Sequence, residues 1–196
     1  MAVCYESVSK SYFDDLVARI VGLRVSRPWQ GYATTIFLEL GKLHWGTMTH
    51  TGKKRRRSTG QATFMIDPQW RVEKRRSVEF ASGSSVGRID KGLLSLLGKR
   101  LEAASLTDHL PELQLTFDDG RCLRTFADWN SQPRWVILVR DKALTELAPV
   151  WKGIDVDPCL GVQRGRLQVQ YCFDDAHIDV RRLRQYRFPP RRRRTP

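Results

Sequence analysis

Leu113-Gln114-Leu115-Thr116-Phe117-Asp118-Asp119-Gly120-Arg121-Cys122-Leu123 is the stretch that decides the fold. Leu113, Leu115 and Phe117 alternate with polar residues, the period of a strand that buries one face. Asp119-Gly120 supplies the chemistry of a tight hairpin turn, and a return strand follows. Thr35-Ile36-Phe37-Leu38-Glu39-Leu40-Gly41-Lys42-Leu43 repeats the plan: a β-rich run, a glycine and a new start. Two such runs predict antiparallel sheet, built twice.

The likeness extends in both directions. Upstream, Phe13 to Ile20 reads as an amphipathic helix ending at Gly22 and followed by Leu23-Arg24-Val25; Ile89 to Leu97 ends at Gly98 and is followed by Lys99-Arg100-Leu101. Each glycine stands just past the last apolar helical position, where a left-handed cap costs glycine least. Downstream, Trp70-Arg71-Val72 and Trp135-Val136-Ile137-Leu138-Val139 form a third matching strand. The expected fold class is α+β, predominantly antiparallel, made of two pseudo-repeated helix-plus-β-meander units at about residues 5–80 and 88–140.

Beyond them, Asp141 can cap a short helix, Lys142 to Leu147, and Trp151 to Gly161 reads as a loop. Arg166 to Phe173 and His177 to Leu183 read as a closing hairpin with Asp174, Asp175 and Ala176 in its turn. Residues 1–183 are thus expected to make a single domain, with helix and hairpin appended at 141–183. Residues 184–196 form a basic tail with too little apolar content to pack, expected to be disordered. Ala81 to Gly87 reads as the linker between the units.

The segment from Gly41 to Trp70 is about twice as long as that from Gly120 to Trp135, so the first unit carries an insertion. Thr51-Gly52-Lys53-Lys54-Arg55-Arg56-Arg57-Ser58-Thr59-Gly60 is its natural place, between strands expected at His44 to Thr49 and Gln61 to Ile66. The basic run is expected at the tip of a projecting hairpin.

Charge singles out the same segment. The 196-residue chain has a net charge of +13, with 25 arginines to 9 lysines. Lys53, Lys54, Arg55, Arg56 and Arg57 contribute +5; Arg71, Lys74, Arg75 and Arg76, less Glu73, contribute +3. The tail residues Arg181, Arg182, Arg184, Arg187, Arg191, Arg192, Arg193 and Arg194 contribute +8, which leaves everything else at −3. Concentrated blocks on an otherwise ordinary body point to an anionic partner. Arginine also suits bidentate contact with phosphate or carboxylate.

These residues are the candidate binding site, and nucleic acid, DNA or RNA, is the leading partner. The alternative is an immunity- or antitoxin-like inhibitor or adaptor that docks on an acidic protein. No phosphate-binding Gly-Lys-Ser/Thr loop, dinucleotide fingerprint or nucleophile elbow occurs, so no cofactor and no catalytic residue is assigned. Asp174, Asp175, His177 and Asp179 could ligate a hard metal, but a hairpin turn favours aspartate for backbone reasons alone. Cys4, Cys122, Cys159 and Cys172 lack the close pairing of zinc ligands, and no metal site is assigned. With no apolar run long enough for a membrane span and a polar N-terminus, a cytoplasmic, non-membrane protein is expected.

Overall fold

Alternating apolar residues make strands that must bury one face, and this chain satisfies most of them in two antiparallel sheets sharing one core. The computed structural model describes residues 3–7, 9–50, 53–67, 69–107, 112–126, 135–139, 158–163 and 166–172; for 3–7, 47–50, 53–57 and from 158 onward it describes backbone only. In chain order the elements are β1 (Val3–Ser7), α1 (Lys10–Ile20), β2 (Val25–Gln30), β3 (Ile36–Leu40), β4 (His44–His50), β5 (Lys53–Thr59), β6 (Ala62–Ile66), β7 (Trp70–Lys74) and β8 (Ser77–Ala81). Then come α2 (Val86–Ser95), β9 (Leu101–Leu106), β10 (Leu113–Phe117), β11 (Arg121–Thr125), β12 (Trp135–Val139), β13 (Pro158–Gln163) and β14 (Arg166–Cys172). The chain is α+β and mostly antiparallel.

A seven-stranded sheet has the order β1-β14-β13-β12-β6-β3-β2, and a five-stranded sheet the order β8-β7-β11-β10-β9. Among the described strands, β4 and β5 pair only with each other, as a separate ribbon. Ile36, Leu38 and Leu40 of β3, Phe64 and Ile66 of β6 and Ile137 of β12 pack in the same core as Leu113, Leu115 and Phe117 of β10 and Leu123 of β11. Phe13, Leu16, Val17 and Ile20 give α1 one apolar stripe at helical spacing; Ile89 and Leu93 do the same for α2. Among the described residues, no helix is long and apolar enough to cross a membrane.

The two sheets exchange strands. After β6 the chain crosses, and β7 pairs with β11; after β11 it crosses back, and β12 pairs with β6. Trp70 therefore lies opposite Thr125, and Trp135 opposite Ile66, both tryptophans buried. The Trp70 indole N–H donates to the Thr34 carbonyl at 2.8 Å, and its ring meets the Phe80 ring edge-on, with centroids 5.9 Å apart. Trp135 meets Phe13 in the same way at 5.9 Å. The helices are exchanged too, α1 packing on β9 and α2 on β2.

The seam between the sheets shows reciprocal bonding. Gly22 and Gly98 end their helices with φ of 91° and 76°, and Arg24 and Arg100 form an antiparallel bridge. Gly22 N–H donates to Leu101 O and Gly98 N–H to Val25 O, each at 2.8 Å. Leu101 N–H donates to Leu23 O at 2.9 Å and Val25 N–H to Lys99 O at 2.8 Å. A bulge leaves Ser26 unmatched where β2 meets β3, and another leaves Glu102 unmatched where β9 meets β10.

Several expectations change. The basic run 53–57 is not a hairpin tip: it forms strand β5, in register from His44↔Thr59 to His50↔Lys53. The strands beginning at Trp70 and Trp135 complete the opposite sheet rather than their own. Pro158 to Gly161, expected in a loop, belongs to β13, and proline is tolerated as the first residue of a strand. β14 is flanked by β1 on one side and β13 on the other, so both of its hydrogen-bonding edges are taken. Residues 166–172 therefore do not use a 177–183 strand as ladder partner. The expected helix 142–147, residues 174–183 and the tail 184–196 lie outside the described residues.

Candidate polyanion interface

The ribbon β4–β5 leaves the seven-stranded sheet at Gly41 and returns at Gly60. Gly41 has φ of 73°, a left-handed conformation that suits glycine. Gly60 is fixed by space instead. A Cβ on it would lie 2.5 Å from Leu40 O, 2.6 Å from Leu40 N and 2.8 Å from Ala62 O, all backbone atoms.

Glu39 holds this joint. Its neighbours in β3, Leu38 and Leu40, face the core, so Glu39 lies on the opposite face of the sheet, yet it is 0% exposed. Its Oε2 accepts the Gly60 N–H at 2.8 Å and the Thr63 hydroxyl at 2.5 Å, and its Oε1 accepts the Trp29 indole N–H at 3.2 Å. Trp29 in turn stacks on Phe37, with ring centroids 3.9 Å apart and planes 3° from parallel. One step further out, an Arg27 guanidinium N–H donates to Ser58 Oγ at 2.8 Å, and Ser58 is buried. A carboxyl group in the interior needs hydrogen-bond partners, and here they come from β2, from β6 and from Gly60 at the ribbon's return to the sheet.

Cross-strand neighbours in the ribbon are Gly46↔Arg57, Thr47↔Arg56, Met48↔Arg55, Thr49↔Lys54 and His50↔Lys53. Each cationic residue thus lies opposite an uncharged residue or a histidine, and no Asp or Glu occurs from residue 44 to residue 59. Trp45, paired with Ser58 at the root, is 63% exposed.

The second basic cluster divides. Arg71 pairs with Glu73 and lies over the Phe126 ring, its guanidinium carbon 4.6 Å from the centroid. Lys74 sits 3.8 Å from Asp119. Arg75 and Arg76 occupy the β7–β8 turn, exposed, with Arg75 at a left-handed φ of 57°. The third cluster, Arg181 to Arg194, lies outside the described residues, as do Asp174, Asp175, His177 and Asp179.

Elsewhere on the five-stranded sheet, cations are matched by carboxylates. Arg121 contacts Asp119 and, through Nε at 2.5 Å, Glu79; Lys99 reaches Asp119 at 3.6 Å; Arg124 reaches Glu73 at 3.6 Å. Asp118 lies 3.9 Å from both Arg24 and Arg100 across the seam. Partial burial raises the Asp119 pKa, but the Arg121 backbone N–H and guanidinium, with Lys74 and Lys99, outweigh that and hold it below its ordinary value.

Among the described residues no three His, Cys, Asp or Glu side chains come together as metal ligands. Cys122 is a half-buried free thiol on β11. Sequence reasoning missed the Glu39 joint, although a lone glutamate inside the apolar run Ile36-Phe37-Leu38-Glu39-Leu40 is a legible anomaly. Comparison of the chain with family models, curated proteins and solved structures finds no match.

Proposed function

We propose that this is a cytoplasmic, cofactor-independent binding protein that grips a polyanion, nucleic acid before any other, through the β5 run Lys53 to Arg57, assisted by Arg75, Arg76 and the tail arginines. One observation carries the reading. The described cations of the five-stranded sheet are largely matched by Asp118, Asp119, Glu73 and Glu79, whereas the ribbon concentrates five cationic residues with no carboxylate in either strand. A run of cationic residues with no acidic residue in its own two strands is the electrostatic footprint of phosphate binding.

On this reading residues 1–183 are one domain of two pseudo-repeats. The reciprocal hydrogen bonds around Arg24 and Arg100, and the matching positions of Trp70 and Trp135, support it. The ribbon of β4 and β5 then stands between β3 and β6 where the second unit has only the turn 118–120 between β10 and β11. Binding was added to one half of the scaffold.

The test is a salt titration of generic DNA and RNA binding, with wild type and with Lys53 to Arg57 replaced by serine. Counterion release makes log K fall linearly with log salt, by about 0.9 per phosphate neutralised on duplex DNA. The five-serine variant should bind all sequences more weakly and with a shallower slope. An unchanged slope, or no binding at low salt, refutes the proposal; capture of one acidic protein that persists at physiological salt would replace it with an inhibitor or adaptor role.

A further inference from the structure

The geometry points to the ribbon entering the major groove of B-form duplex DNA edge-first, with β5 leading. The inference rests on the polyanion reading above and adds the shape of the partner. β5 pairs with β4 along one edge and with no other described strand, so its second edge presents backbone N–H and C=O groups to whatever lies beyond.

Residues along a strand alternate between its faces, so Lys53, Arg55 and Arg57 belong to one face and Lys54 and Arg56 to the other. A ribbon lying flat on an anionic surface would use only one of these sets. An edge set between two phosphate walls uses both. The major groove of B-DNA, about 12 Å wide, admits a two-stranded β-ribbon and has a phosphate wall on either side. The minor groove, about 6 Å wide, is too narrow, and the major groove of A-form RNA is deep and closed to side chains.

The opposing strand suits such an insertion. Gly46, Thr47, Met48 and Thr49 follow β5 into the groove without adding negative charge. Glu39 acts here as a positioning residue. It holds Gly60 N–H and Thr63 Oγ1–H where the ribbon returns to the sheet.

The experiment compares full-length protein on a 20-base-pair DNA duplex, the matching single strand and the matching RNA duplex at low salt, then repeats the duplex with guanines methylated at N7 in the major groove. The DNA duplex should bind at least about ten-fold more tightly than either alternative, and N7 methylation should interfere. The double variants R55S/R57S and K54S/R56S should each lower the salt slope by about 2, one face at a time. Tryptophan fluorescence checks that each variant is folded.

Equal or tighter binding to single strands or RNA, indifference to N7 methylation, displacement by a minor-groove ligand, or a slope that responds to only one double variant would each overturn groove entry while leaving polyanion binding intact. Absence of binding to any nucleic acid would overturn both readings.

Discussion

Replacing Glu39 by glutamine tests the joint beneath the ribbon with the smallest change in shape. The wild-type carboxyl accepts from three donors: Trp29 Nε1–H, Gly60 N–H and Thr63 Oγ1–H. Glutamine has one acceptor oxygen. If that oxygen stays with Gly60 and Thr63, the new amide N–H₂ faces the indole N–H, two donors in opposition where a 3.2 Å bond existed. If the amide turns over, the Gly60 N–H is stranded inside the protein. A buried donor left unsatisfied costs about 1–3 kcal/mol, and at full burial nothing from solvent relieves it. In a domain of this size a loss of 1 kcal/mol lowers Tm by about 2–4 °C, so E39Q should melt roughly 2–12 °C below wild type. Urea unfolding followed by tryptophan fluorescence reads the loss, and a cycle with Thr63→Val should show coupling of about 0.5–3 kcal/mol between residues that share a bond. Stability within 0.5 kcal/mol of wild type, or strict additivity in the cycle, would refute the account of the joint.

Three further outcomes are expected. Gly60→Ala should destabilise by about 3 kcal/mol by circular dichroism melting, since the added methyl meets backbone that cannot move without disturbing β3 and β6. Asp119 has its pKa lowered on folding, so its stabilisation is full above about pH 4, the unfolded value, and is lost as pH falls through the folded value; Asp119→Asn should flatten the stability profile below pH 4 while leaving the remaining acid dependence. Arg121→Met should cost about 2–4 kcal/mol in urea unfolding, because Glu79 and Asp119 then face each other's charge with their central cation gone.

Local chemistry was legible where it is written locally. Alternation at Leu113, Leu115 and Phe117 and the Asp119-Gly120 turn gave β10, its hairpin and β11, and Gly120 has the expected positive φ, 77°. The glycines after both helices were legible for the same reason. Strand exchange was not, because nothing near Trp70 or Trp135 encodes whether the next ladder partner is β6 or β11. That choice is made by two sheets burying each other's faces. The placing of residues 53–57 in a strand was also hidden: five consecutive Lys and Arg show no apolar alternation, and the strand follows from pairing with Gly46 to His50 rather than from propensity. β13 was masked by its initial proline. In the candidate site the cationic residues were evident from composition, whereas the Glu39 joint depends on Trp29, Gly60 and Thr63 meeting across three strands.

The crossed strands have a consequence for how the chain acquires its structure. β7 has only β11 and β8 as ladder partners and β12 only β6 and β13, so a nascent chain that ends before β11 holds a half-built sheet with β7 waiting for a strand not yet made. Loop-closure entropy must be met before these distant pairings repay it, which makes such topologies slow to form. The interval in which exposed strand edges can join the wrong chain is correspondingly long. A protein built this way is exposed to aggregation during its synthesis, until β11 and β12 have taken their places beside β7 and β6.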